Sequence, residues 1–226
     1  MRGFDKSALN QNLLLSIPMY EGTGSVSLMD VAKPHHPVTQ IHAPVWTQLA
    51  SGLWVLQFAA GPDYLSCAAA SSLDLNFTSE SFSGAVWFNC GSPTSSTGML
   101  MQRWNASGGW YWYLDTGRGT FFRTYQGATV QISGKSTSWW TPSTWTLCGF
   151  RRSGTSVRVY LNGVDVTDYA ESHVNPTSVP TADLGIGYAS DRTFVGYMSR
   201  PRIWNRALST AEHMEIFNRE REWFNV

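Results

Sequence analysis

Between positions 20 and 205 turn-forming Gly, Asn, Asp, Ser and Pro recur every 8–15 residues, and helical periodicity is nearly absent until the last twenty residues. That spacing leaves room for short strands and little else. The clearest segment runs from Gly154 to Gly163. Val157, Val159 and Leu161 point to one side, and Ser156, Arg158 and Tyr160 to the other. Asn162-Gly163 supplies the positive-φ residues of a tight hairpin, with Val164 and Val166 on the returning strand. Further strands are predicted at Leu13–Tyr20, Leu53–Ala59, Phe82–Asn89, Met99–Trp104, Trp110–Asp115, Gly119–Tyr125, Thr144–Arg151 and Phe194–Trp204. Loops rich in Gly, Ser, Thr and Pro separate them at 91–98, 133–143 and 172–181. The pattern predicts an all-β fold, a two-sheet antiparallel sandwich forming a single domain over residues 13–226.

The two ends depart from this pattern. Residues 1–12 are polar and precede the first strand, which suits either an arm reaching a neighbouring subunit or a flexible terminus. Ser209-Thr210-Ala211-Glu212 is a capping box, and Thr210–Trp223 is read as a short helix docked by Met214, Ile216 or Phe217. Five arginines from Arg200 to Arg221 are offset by Glu212, Glu215, Glu220 and Glu222, which reads as a solvated face with i, i+4 pairs rather than an anion site.

Composition excludes several classes. Hydrophobic residues make up 42% and charged residues 14%, a balance too apolar for disorder. Sixteen basic residues match sixteen acidic ones, so a broad basic surface for nucleic acid is disfavoured. No stretch approaches the roughly 20 apolar residues of a membrane helix. The N-terminus lacks the features of a secretory signal, and Cys67, Cys90 and Cys148 show no metal-binding spacing. The expectation is buried free thiols in a chain made in the cytoplasm.

Catalytic motifs are missing: there is no nucleophile elbow, no paired-histidine zinc motif and no phosphate loop. His35, His36 and His42 lie in the Pro-rich stretch 33–44, read as loop. Cys148, predicted mid-strand, reads as structural. The aromatic residues stand out instead. Trp139 and Trp140 adjoin in a polar stretch, and an extended chain would turn one of them outward. Alternation puts Trp110 and Trp112 on one face and Tyr111 and Tyr113 on the other, with one pair in the core. Trp104 precedes a loop. These five tryptophans are the candidate contact surface, for sugar or for another protein chain.

The chain resembles the laminin-G-like jelly rolls of the concanavalin A-like lectin/glucanase superfamily, of a type common in bacterial and phage proteins. Four segments carry the resemblance: the opening strand and turn Leu15–Gly24, the stretch Phe58 to Leu65, the strand Phe82–Phe88, and the closing half. That half runs from Trp145 to Asn162-Gly163, through Leu184–Gly187, to Phe194–Ser209. The resemblance implies a jelly-roll topology with the N- and C-terminal strands adjacent. It also implies a calcium site at the rim, with Asp30 as the carried-over ligand. The second acidic position of the family aligns with Ser199-Arg200, so the expectation is no cofactor, with calcium as the alternative.

Hydrolases of that superfamily line one strand with alternating carboxylates. Here Asp115, Asp165, Asp168, Glu171, Asp183 and Asp191 are scattered, so no enzyme is expected. The function read from the sequence is a non-catalytic structural or recognition protein, a virion surface or decoration subunit. Its expected partners are other virion proteins, further copies of itself in a homo-oligomer or larger assembly, and glycan. Nucleic acid and membrane insertion are not expected. A lectin-like carbohydrate-binding module is the alternative, and a glycoside hydrolase the third reading.

Overall fold

Alternation becomes layering in the computed structural model, which describes residues 7–59, 61, 63–91, 98–115, 119–127, 129–136, 140–169, 175–189 and 192–226. In chain order the strands begin with β1 (Leu13–Ser16), β2 (Ser27–Leu28), β3 (Val38–Ile41), β4 (Val45–Gln48), β5 (Trp54–Phe58) and β6 (Tyr64–Cys67). The middle of the chain forms β7 (Phe82–Asn89), β8 (Gly98–Asn105), β9 (Gly108–Asp115), β10 (Gly119–Gln126), β11 (Thr129–Lys135) and β12 (Thr146–Ser153). The remainder are β13 (Ser156–Leu161), β14 (Val164–Asp165), β15 (Leu184–Ile186), β16 (Tyr188–Ala189), β17 (Arg192–Thr193) and β18 (Gly196–Trp204). Sheet A runs β14-β13-β12-β7-β18-β5-β4, with β1 also on β18; sheet B runs β11-β10-β9-β8-β15-β6-β3-β2. All pairs are antiparallel, and the first and last strands adjoin, Leu13 opposite Trp204, as the resemblance implies.

Each sheet turns one set of alternate residues inward. Val86, Phe88, Phe150, Val157, Val159 and Ile203 from sheet A meet Leu65, Leu100, Trp110, Trp112, Phe122 and Ile186 from sheet B. Phe122 stacks on Phe150 with ring centroids 4.5 Å apart, closing the two layers. A fully buried side chain of this size contributes about 1.5–3 kcal/mol.

Sheet A is buried on its outer face as well. Helix α1 (Thr210–Glu220) and the 3-10 turn Arg221–Phe224 lie across it, so Trp87, Trp145, Leu147 and Trp204 form a second core with Ile216 and Phe224. The capping box forms as predicted, Ser209 Oγ accepting from the Glu212 amide. Ile216 and Phe217 do dock. His213 is buried too, its ring stacked on Tyr160 at 3.9 Å, which is why Tyr160 is covered although it points away from the inner core.

The predicted solvated tail needs one correction. Arg219 and Glu215 do form an i, i+4 pair at 2.5 Å, whereas Glu220 is buried against Trp87, Arg200 and Arg202. The polar segment ahead of β1 is also tied down where it is described. Leu9 is buried, its carbonyl accepts from Trp204 Nε1, and Arg206 donates to the carbonyls of Ala8 and Gln11. The Pro-rich stretch read as loop contains β3, which pairs with β6 through Gln40 and Leu65. Cys67, Cys90 and Cys148 are buried and without disulfides, as expected. Among the described residues no helix is long and apolar enough to cross a membrane.

Candidate functional site: an aromatic face on sheet B

With the outer face of sheet A occupied by the chain's own helix, the outer face of sheet B is the other broad surface. Its centre is the ladder of β8, β9 and β10. Cross-strand register sets three rows there: Met99–Tyr113–Phe121, Gln102–Tyr111–Arg123 and Trp104–Gly109–Tyr125. The middle residue of the last row has no side chain. Gly109 sits at φ 95, and a Cβ there would lie 2.2 Å from the Arg103 carbonyl oxygen. The rings of Trp104 and Tyr125 close over that gap to 5.3 Å.

Rings and cations continue across the ladder. The Tyr111 and Tyr125 hydroxyls are 3.0 Å apart, and Arg123 Nη1 donates to the Tyr111 hydroxyl at 3.3 Å. Arg123 also lies 5.2 Å from the Tyr113 ring centroid, and Arg192, from the β16–β17 hairpin, covers the same ring at 4.6 Å. Met99, Tyr111, Tyr113 and Phe121 are buried beneath these groups, while Gln102, Trp104, Arg123 and Tyr125 form a half-buried margin. Two donors there are buried without an acceptor among the described residues, Trp104 Nε1 and Arg123 Nε. Buried donors normally find a partner, which sets these two apart from the rest of the sheet.

Its charge states are settled by the surroundings. Burial raises the phenols of Tyr113 and Tyr125 well above the usual tyrosine range, so both stay protonated. Burial alone would lower Arg123, but the tyrosines around it reverse the shift and it stays charged. Asp115 is the one carboxylate on β8, β9 and β10, and glycosidic cleavage takes two. Burial pushes the thiols of Cys90 and Cys148 up to about 12, which leaves neither a nucleophile at neutral pH.

Of the five tryptophans predicted to form a contact surface, Trp104 lies on this face. Trp110 and Trp112 do not: both are 0% exposed, with Nε1 donating to Leu75 O and Thr120 Oγ1. Alternation had left the choice of pair open, and the larger indoles fill the space between the sheets while the tyrosines, whose hydroxyls need partners, face outward. Trp140 is also buried, edge-on to Phe88 at 5.5 Å. Trp139 lies outside the described residues. Sequence reasoning missed Tyr111, Tyr113, Arg123 and Tyr125; the signal was the same period-2 alternation, read for its bulkier half.

Asp30 does not fit a calcium site. It is 3% exposed, and its carboxylate already accepts from the amides of Ser16, Ala32 and His36 and from His36 Nδ1 at 2.7–3.0 Å. Calcium takes six to eight oxygens, and the described residues hold no group of three or more His, Cys, Asp or Glu placed to bind a metal.

The family model described as the concanavalin A-like lectin/glucanases superfamily, of laminin G type, matches residues 62–212. The chain belongs to that superfamily. Its jelly roll also aligns with solved relatives at low identity. The receptor binding domain of botulinum neurotoxin D superposes with a TM-score of 0.69 at 11% identity, over 94% of this chain and 54% of that one. The binding domain of Paraclostridial Mosquitocidal Protein 1 gives 0.70 at 14%, over 93% and 53%. The chain thus spans about half the length of these toxin domains. Domain 4 of AbnA, an extracellular arabinanase from Geobacillus stearothermophilus, was solved with arabinotriose; it gives 0.69 at 14%, over 91% of this chain and 98% of that one. At such identities the likeness is one of fold. A search of curated proteins finds no match.

Proposed function

We propose that this jelly roll is a non-catalytic binding module that takes carbohydrate on the aromatic face of sheet B. One observation carries the reading: Trp104, Arg123 and Tyr125 border a stacked aromatic cluster that leaves two buried N–H donors without acceptors among the described residues. A sugar supplies what is missing, with apolar C–H faces for the rings and hydroxyl oxygens for the donors. The arabinotriose complex of AbnA domain 4 supports it as an analogy of fold. The test is a glycan array followed by calorimetry on the best ligand. Trp104→Ala and Tyr125→Ala, checked for unchanged near-ultraviolet circular dichroism, are expected to weaken binding at least about tenfold, as loss of a stacking ring does at hot spots. An array blank for the folded wild-type protein, or full affinity in both variants, overturns the reading.

A second reading, a subunit of a larger assembly such as a virion surface, draws on another surface. Val26 and Val45 are exposed at the sandwich edge where β2 and β4 end their sheets, with Tyr20 and Met29 exposed on the adjoining loop. Exposed apolar side chains at an unpaired edge suit a protein partner. Light scattering on the same sample decides it, a discrete oligomer supporting assembly and a monomer at high micromolar concentration counting against self-association.

A further inference from the structure

On the far side of the molecule from the aromatic face, a cavity of about 370 Å³ opens between the C-terminal helix, β18 and the segment ahead of β1. Its walls are apolar where Leu13, Pro18, Trp204 and Ile216 line it, and cationic at Arg200 and Arg202. Among the described residues the cations outnumber their counter-charge. Among the described residues Glu220 is the sole carboxylate lining the cavity; its two oxygens already accept from Arg202 Nη1 and Nη2 at 2.8 and 2.7 Å and from Trp87 Nε1 at 2.8 Å, and it forms an ion pair with Arg200 Nε at 3.3 Å. Arg219, the third arginine of the lining, is held by Glu215. Among the described residues one positive charge is therefore left uncompensated beside an apolar space.

Two further features mark the place. Arg202 Nε is buried with no acceptor among the described residues. Arg200 sits at φ 55, a left-handed conformation rarely held by a residue with a long side chain, at the register shift that interrupts the pairing of β18 with β7. The bulge aims its guanidinium into the lining, under the ring of Trp223 at 4.5 Å. Strain of this kind persists where the surrounding structure imposes it, commonly at ligand sites. Burial also pulls Arg200 below the usual arginine range, against the opposing pull of Glu220 and of a hydrogen bond with the Tyr20 hydroxyl.

We infer that this cavity is a binding site for a small organic carboxylate with an apolar tail. The carboxylate meets Arg200 and the unpartnered Nε of Arg202, and the tail lies along Leu13, Pro18, Trp204 and Ile216. Guanidinium suits a carboxylate because its donors lie in one plane. Neither the family nor the proposed sugar face requires this site.

Isothermal titration with sodium butyrate, hexanoate and octanoate tests it, with 1-octanol as the neutral analogue. Affinity is expected to rise with chain length, and octanol to bind at least about tenfold more weakly than octanoate, the worth of a charge-assisted hydrogen bond. Arg200→Gln leaves the bidentate Arg202–Glu220 pair in place and is expected to lose at least tenfold, with Arg200→Lys intermediate; Tyr125→Ala binds octanoate as the wild type does. If Arg200→Gln fails to fold, the octanoate-to-octanol ratio on the wild-type protein still decides. Absence of saturable heat for all three carboxylates at millimolar concentration, equal affinity for octanol, or undiminished binding by a folded Arg200→Gln overturns the proposal.

Discussion

His36 and His213 are both buried, and their surroundings drive them in opposite directions. His36 Nδ1 and Nε2 donate to Asp30 at 2.7 Å and Asp74 at 2.9 Å, which requires both ring nitrogens to carry protons. Burial by itself would lower its pKa, but the two carboxylates raise it to about 9. His213, packed on Tyr160 with Nε2 unpartnered among the described residues, is pushed down to about 3 by burial. The raised group contributes stability in full below its unfolded value near 6.5 and loses it as pH climbs through 9. The depressed group contributes above 6.5, and that contribution fades as pH falls toward 3. Urea titrations should therefore give a dome of stability with its maximum near pH 6.5 and slopes of up to about 1.4 kcal/mol per pH unit on either side. His36→Gln should flatten the alkaline limb; an alkaline slope unchanged in that variant would show that other groups produce it. None of this was legible in the sequence, where His36 looks like part of a Pro-rich loop and Asp74 lies 38 residues away.

At the scale of elements, local chemistry was readable wherever the partners lie within a turn of each other. The capping box follows from four consecutive residues, and the hairpin from Asn162-Gly163. Ser209→Ala is expected to cost about 1 kcal/mol in a chemical melt, the usual worth of an N-cap. Gly163 has a second role that the hairpin signal does not contain. At φ 80 it satisfies the turn, and a Cβ there would stand 2.6 Å from the Met214 Cα of the helix above it. Gly163→Ala should therefore destabilise the protein by more than the roughly 1 kcal/mol of the turn conformation alone, and a loss below that figure would mean the helix shifts freely. The short strands β2, β3 and β4 escaped sequence reading because two to four residues carry no measurable alternation. Their pairing is set by the strands beside them in the sheet rather than by their own pattern.

For the molecule as a whole, the decisive asymmetry is that one sheet is covered by its own chain and the other by aromatic side chains and a hairpin. Removing residues 210–226 should strip the cover from Trp87, Trp145 and Trp204, giving a protein that aggregates or binds the dye ANS strongly. A truncated chain that stays monomeric, dark to ANS and native by near-ultraviolet dichroism would show the helix to be an ornament. The sequence by itself determined the all-β class, the C-terminal helix and the two-faced character of strands such as Ser156–Leu161, because period-2 alternation and turn residues act over a few positions. Tertiary structure alone decided which face of Trp110–Tyr113 went inward, that Asp30 spends its oxygens on His36 and three amides, and that Arg200, Arg202 and Glu220 share one buried cavity wall. Each of these depends on which residues from distant parts of the chain meet, and alternation within a single strand is the same whichever side the second sheet lies on.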